Sequence, residues 1–218
     1  MAIRIHQPIE NRTLWRYMSL EKLLWLLQRN SLYFTQLKQF KDPYEGTAPV
    51  ALQWAGKVDQ DPVFTPIKDE HVRDHIYVNC WHSNNDESAA MWSVYSKTSG
   101  VAITTTLARL QAALTDAPQE IEIAAVQYEA IAPGFAAGSP WTIKRPSFAH
   151  EREVRAVFRD PGCGQVGIGI PVDVAALIEK ILVSPEPEFD PWVEVVADVV
   201  AKYGLTVTVK QSDLYILF

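Results

Sequence analysis

The chain has 218 residues with 20 Lys+Arg against 26 Asp+Glu, a net charge of −6, and 48% hydrophobic and 21% charged residues. That balance excludes intrinsic disorder, argues against a genome-scanning nucleic-acid binder, and leaves room for a sizeable core. No apolar run approaches the ~20 residues that a membrane-spanning helix needs.

The charge is uneven. Residues 1–60 carry eight Lys+Arg and five Asp+Glu, whereas residues 156–218 carry four and nine. A local basic site inside an acidic protein keeps a small phosphorylated ligand open as a partner. With only Cys80 and Cys163, and an opening segment MAIRIHQPIENR without a long apolar core, the expected setting is a reducing cytoplasm.

In chain order, Leu14–Met18 reads as a strand, with Arg16 on one face and Trp15 and Tyr17 on the other. Ser19 is placed to cap a helix whose Leu20, Leu23, Leu24 and Leu27 form one stripe, and Asn30 is suited to end it. Ser31 starts a second strand through Thr35, and Asp42, Pro43 and Gly46 mark a turn. Residues 48–74 read as an irregular insertion broken by Gly56, Pro62 and Pro66. A strand follows over His75–Cys80, then a helix over Glu87–Ser96 with Ser88, Met91, Trp92 and Tyr95 on one face.

Val101–Thr106 is a β-branched strand, and Thr106 caps a helix carrying Leu107, Leu110 and Leu114. Ile121–Tyr128 reads as one strand, and Ala130–Pro140 as a candidate mobile flap. In the following segment Glu151, Glu153 and Arg155 alternate with Val154, Ala156 and Phe158, a strand with one polar and one core face. Gln165–Ile170 is a glycine-punctuated strand, and Asp173 caps a helix with Val174, Leu177, Ile178 and Ile181 in one stripe. Asp190-Pro191 opens a helix that stops at Gly204, and Leu205–Val209 is the last strand. Adjacent strands without regular βα alternation predict a single α+β domain over 1–218, a mixed, mostly antiparallel sheet core with flanking helices.

Several motifs carry chemistry. Gly162–Gly167 matches GxGxxG, but the dinucleotide fingerprint opens a helix and this segment continues as strand, so it reads as a hairpin. His71, His75, Cys80 and His82 form a loose metal set without a HExxH base, and no metal is assigned to them. No GxSxG elbow is present. Arg16 is either an edge-strand arginine pairing a carboxylate or a clamp for phosphate oxygens, which its planar fork suits. Glu151, Glu153 and Arg155 are either a surface ion-pair ladder or, inside a cleft, a tuned acid/base or ribose-binding set, with Lys144 and Arg145 supplying anion contacts.

The order of WRYMS, LYF with DPYEG, NCW, ESAAMWSVYS with GVAI, and KRPSFAHEREVR resembles a family of uncharacterised bacterial proteins defined as a domain of unknown function. More distantly, an arginine on the first strand, a following helix, an aromatic second strand and a late strand glutamate are similar to the layout of ADP-ribosyltransferases. That resemblance implies NAD as a substrate with no tightly bound cofactor. It makes Arg16 a grip on the NAD phosphate or ribose, Tyr33 or Phe34 a stacking surface for nicotinamide, and Glu153 a hydrogen-bond partner of the ribose 2′-hydroxyl. Tyr17 and Tyr95 join Lys144 and Arg145 as further binding candidates, with Glu153 and Arg16 as the catalytic pair. The chain departs from that layout in lacking an STS-type motif and a first-strand histidine.

Three readings follow. The first is an NAD-consuming transferase or glycohydrolase, which requires Arg16 and Glu153 to face one pocket. The second is a noncatalytic nucleotide- or peptide-binding module, which lets them face apart. The third is a Mg-dependent nuclease-like phosphodiesterase, which requires Asp42 and Glu45 beside Glu153.

Overall fold

In the computed structural model, residues 3–6, 9, 12–43, 45–46, 70–95, 99–128, 140–187 and 191–216 are described. A ten-stranded sheet runs β1(Arg4–His6), β6(Glu122–Ala125), β9(Glu153–Arg159), β4(Ile76–Ser83), β2(Leu14–Ser19), β5(Gly100–Thr105), β11(Lys180–Val183), β12(Thr208–Gln211). β3(Ser31–Gln36) and β10(Gly167–Pro171) branch from it, and β7(Gln127–Tyr128) pairs β8(Ile143–Lys144) separately. Among the described strands only β1–β6, β11–β12 and β7–β8 are parallel, so the architecture is the mixed, mostly antiparallel α+β fold that the sequence predicts.

The branch is the feature that matters. β9 accompanies β4 from Ile76 to His82, but the other edge of β4 is shared. β3 takes Tyr77 and Val78, and β2 takes His82 and Ser83. Asn79, Cys80 and Trp81 therefore lie at a fork where β2 and β3 diverge. The helix joining those two strands, α1(Leu20–Arg29), closes the far end of the fork.

Pairing register assigns every side chain to one of two faces. Leu14, Met18, Leu32, Phe34, Tyr77, Trp81, Ile103, Val154 and Phe158 belong to the larger core. Leu23, Leu26 and Leu27 of α1 bury into it, each contributing roughly 1.5–3 kcal/mol. α4(Leu107–Leu114), α5(Val174–Leu177) and α6(Trp192–Lys202) cover the same face. The opposite face holds Trp15 and Tyr17 against Met91 and Trp92 of α3(Ala89–Tyr95), and Ile76 and Val78 against Leu37 and Val157.

Local chemistry explains most boundaries. Asn30 ends α1 in the left-handed region at φ 44°, and Gly204 stops α6 at φ 77°. The Thr106 hydroxyl accepts from the Arg109 N–H at the start of α4, and Asp173 accepts from Ala176. Ser19 stands at the N-cap of α1, but its side chain makes no capping bond.

Other elements differ from expectation. α2(Glu70–His75) and β1 carry too little periodicity to be read. The strand expected over Ile121–Tyr128 breaks at Val126: its N–H still donates to the Glu153 carbonyl in register with the β6–β9 pair, but the Glu153 N–H goes to the Tyr128 hydroxyl. Val174, Leu177, Ile178 and Ile181 are all buried, but α5 spans only four residues and Ile181 is in β11. The glycine-punctuated segment is not a hairpin: β10 crosses to pair with β3. Its glycines make room for rings, because a Cβ on Gly167 would lie 2.2 Å from the Tyr33 hydroxyl and one on Gly169 2.8 Å from Trp25. The expected flap over Ala130–Pro140 falls outside the described residues apart from the start of a 3₁₀ turn at Pro140.

Candidate functional site

Arg16 sits on the Leu14/Met18 face of β2, and its guanidinium reaches into the fork. Nη2 donates to the Tyr33 carbonyl at 3.3 Å, the same oxygen that accepts from Asn79 Nδ2 at 2.9 Å. Asn79 is held in turn by Trp81 Nε1, which donates to its Oδ1 at 2.7 Å. The Arg16 guanidinium lies 5.8 Å from the Trp81 ring centroid. No carboxylate pairs with Arg16 among the described residues, and its Nη1 is a buried donor without a partner. Burial lowers its pKa to about 10, opposed by the nearby Cys80 thiol.

The other face carries the opposite arrangement. Arg155, fully buried, donates from Nε to Glu153 Oε1 at 2.8 Å and from Nη2 to Glu153 Oε2 at 2.9 Å. Its Nη2 also bonds Glu45, and Nη1 donates to the Trp141 carbonyl at 2.7 Å. Lys144 bonds Glu151 and lies 3.3 Å from both Glu45 and Glu153. Three carboxylates and two cations thus share one buried cluster. Burial alone would raise the Glu153 carboxyl, but Arg155 and then Lys144 outweigh it and hold the pKa at about 2. Burial would lower the Lys144 ammonium, yet Glu153, Glu45 and Glu151 raise it above its ordinary value.

The two stretches singled out in the sequence therefore form a single network. The DPYEG turn supplies Asp42, which takes Arg145 at 3.1 Å, and Glu45, which takes Arg155 and Lys144. Arg73 fixes the backbone of that turn by donating to the carbonyls of Leu37, Phe40, Asp42 and Pro43. Glu151 is not on a strand as expected. It ends a 3₁₀ turn, Pro146–Glu151, and Arg152 at φ 39° swings the chain into β9. Both carboxylates still reach Lys144.

The sequence-predicted residues divide between the faces. Trp15 pairs with His82, and His82 with Glu153, so Glu153 shares a face with Trp15 and Tyr17 and lies across the sheet from Arg16. Tyr33 is on the Glu153 side, since its neighbour Thr35 pairs with Val78. Its ring meets Trp25 edge-on at 5.2 Å. Tyr95 reaches Glu151 at 3.4 Å, and Tyr17 packs on Trp92 and His82. Phe34 does not join them: it is fully buried against Phe158 on the other face, so it offers no stacking surface.

The faces meet at Cys80, in the gap of the fork. Its thiol is raised well above the ordinary value by burial and by Glu153, and it also influences Arg16. Arg16, Trp25, Tyr33 and Cys80 are half-buried, whereas Glu45, Lys144, Glu153 and Arg155 are buried. Two contributors escaped the sequence reading. Tyr128, whose hydroxyl accepts from the Glu153 N–H at 2.7 Å, looked like an ordinary strand end. Asn79 could have been found as the lone amide among the large apolar residues of IYVNCW.

Glu45 does lie beside Glu153, but Arg155 and Lys144 stand between them, and Asp42 is turned to Arg145. Among the described residues no group of three or more His, Cys, Asp or Glu side chains is arranged to hold a metal ion. The His71 side chain is outside the described residues. A recess of about 260 Å³ on the Tyr17 side is lined by Trp15, Glu87, Thr104, Lys180, Leu182 and Lys210, and none of the candidate residues faces it. No described helix is long and apolar enough to cross a membrane.

The sequence matches no family model and no curated protein. The chain is similar to three solved structures of DarT from Thermus sp. 2.9. The complex with NAD+ is 12% identical with a TM-score of 0.43, covering 94% of this chain and 97% of that one. The complex with carba-NAD+ is 10% identical with a TM-score of 0.46, covering 94% and 97%. The complex with ADP-ribosylated single-stranded DNA is 10% identical with a TM-score of 0.46, covering 95% and 96%. At these values the likeness assigns no role to any residue of this chain.

Proposed function

We propose that this chain is an NAD-consuming enzyme of the ADP-ribosyltransferase kind, with the dinucleotide spanning the fork between β2 and β3 from Arg16 on one face toward Glu153 on the other. Arg16 and Glu153 do not share the one face that the sequence reading required. One observation carries the reading: a half-buried arginine at a break in the sheet, with no carboxylate partner among the described residues and an unpartnered donor. A cation left uncompensated there is a site for phosphate oxygens, which a guanidinium takes through parallel charge-assisted bonds.

The surroundings suit the rest of such a ligand. Tyr33 and Trp25 on one arm of the fork, both half-buried, and the exposed Tyr95 beyond the other offer aromatic surface to flat rings, whereas Tyr17 is buried against Trp15 and Trp92 and offers none. Glu153 is held ionised, as a group facing a developing positive charge must be. In the proposed step the bond between the ribose anomeric carbon and the nicotinamide nitrogen breaks, and its electron pair leaves with neutral nicotinamide. The oxocarbenium-like sugar is then captured by an acceptor nucleophile or water, which loses a proton. The protein's part is positioning and charge stabilisation.

A noncatalytic nucleotide-binding module is the second reading. It is favoured by the Glu153 carboxylate, whose oxygens are both engaged by Arg155 and which leaves the sheet on the face opposite Arg16. Nicotinamide release from NAD, with and without candidate acceptors, separates the two. Single-stranded DNA belongs among the acceptors despite the net negative charge. Release by wild type and its loss in folded Glu153→Gln supports the enzyme. An NAD-dependent rise in melting temperature without release points to the module, and neither effect removes NAD from consideration.

A further inference from the structure

Arg155 makes four hydrogen bonds, three of them to carboxylate oxygens, and these commitments have a direction. Its fork grips both oxygens of Glu153 in a plane, at 2.8 and 2.9 Å. The remaining nitrogen, Nη1, is fixed by the Trp141 carbonyl at 2.7 Å, and Nη2 is shared between Glu153 and Glu45 of the 42–46 turn. Phe40 covers the guanidinium face at 5.5 Å. Glu45 is also 3.3 Å from Lys144, the other cation that touches Glu153. A lone point charge would keep Glu153 ionised but would leave its carboxylate free to rotate. A planar fork braced at three points sets where the carboxylate oxygens aim.

We propose that Arg155, braced by Glu45, is the positioning residue of the site, fixing the orientation of the Glu153 carboxylate toward the fork. This rests on the reading of Glu153 as the carboxylate that faces the reacting sugar. It assigns the DPYEG turn a part in the site although no atom of that turn need touch the ligand. The groups facing Glu153 are Arg155 on its own strand, Lys144 on β8, Glu151 before β9, Glu45 on the turn, Cys80 and His82 on β4, Tyr95 on α3 and Tyr128 on β7. Lys144 supplies charge at a single point, so the orienting role falls to Arg155.

The experiment compares wild type with R155K and E45Q, which keep a cation or an acceptor in place and avoid stranding a buried charge. Nicotinamide release is read as kcat and KM for NAD. The Glu153 side-chain carboxyl is followed by ¹³C NMR between about pH 4 and 7, above the window in which it titrates, and its rotamer by crystallography. Expected for R155K is a kcat loss of about a hundredfold, the scale of a misplaced reacting group, with KM within about threefold. Its carboxyl should stay ionised over the range as in wild type, and its rotamer should be displaced. E45Q should show a smaller kcat loss in the same direction. A wild-type kcat in R155K overturns the proposal, because charge alone would then suffice. So does a kcat loss that tracks upward titration of Glu153, which would make the effect one of ionisation. An unmoved Glu153 rotamer in R155K overturns it even if wild type releases no nicotinamide. That last absence counts against the NAD reading itself and leaves the rotamer comparison decisive here.

Discussion

Arg16 and Arg155 stand on neighbouring parts of the same sheet, and they have been treated in opposite ways. Arg155 is fully buried and meets two carboxylates and a carbonyl, so every part of its fork is used inside the fold. Arg16 is half-buried and meets one carbonyl at 3.3 Å, with no carboxylate among the described residues. A cation that the fold compensates is structural or orienting. A cation that the fold leaves without a counter-charge, at a break in the sheet, is better explained by something that arrives from outside. The contrast is testable because removing each arginine should do a different thing.

The largest effect is expected at Arg155. Replacing it by Met strands Glu45 and Glu153 in a buried site with only Lys144 and should cost about 3–5 kcal/mol in urea denaturation at pH 7. The pH dependence carries a sign. Glu153 is depressed in the folded state, so its contribution is fully present above the unfolded carboxyl value of roughly 4.3 and is lost as pH falls toward about 2. Wild type should therefore lose stability across that window, and Arg155→Met should show a shallower acid slope. A parallel pair of pH curves would mean that the network does not hold Glu153 ionised.

Arg16→Met should behave in the reverse manner. Burial depresses this guanidinium to about 10, so in the folded state the charged form is disfavoured relative to the unfolded chain. Its contribution is unfavourable below that value and is relieved as pH rises through it. At pH 7 the variant should be as stable as wild type or more so, within about 1 kcal/mol. Its affinity for NAD should nevertheless fall by roughly tenfold to a hundredfold, the value of a charge-assisted contact of about 1.5–3 kcal/mol. Isothermal titration against NAD and urea melts of the same preparation decide this. A large stability loss with unchanged affinity would make Arg16 a structural arginine and remove the main support for the fork as a ligand site.

The same contrast explains what could be read from the chain beforehand. Strands and helices with a clean period, such as Leu14–Ser19 and the stripe of α1, were legible because local pattern and burial agree. The fork was not, because it arises from β4 sharing one edge between β2 and β3, a long-range choice that no period records. Face assignment failed in part for the same reason. Alternation places Arg16 opposite Tyr17, but which face Glu153 shares with which residue depends on pairing through β4. Glu45, Lys144 and Arg155 were each visible as charges on apolar surroundings, yet their union spans 110 positions of sequence separation.

A smaller effect tests the arm of the fork formed by β3 and β10. Gly167 leaves the space that the Tyr33 ring occupies, so Gly167→Ala would bring a methyl to 2.2 Å from the Tyr33 hydroxyl. Overpacking of this kind costs about 1–3 kcal/mol, and the ring, half-buried at the arm's surface, is the group able to move. Gly164→Ala, where a Cβ meets nothing within 4 Å, is the matched control and should change stability by less than about 0.5 kcal/mol. If Tyr33 contributes to the ligand surface, Gly167→Ala should weaken NAD binding several-fold beyond its cost in stability, whereas Gly164→Ala should leave binding unchanged. Equal binding by both variants would confine the ligand surface to the β2 side of the fork and take Tyr33 out of it.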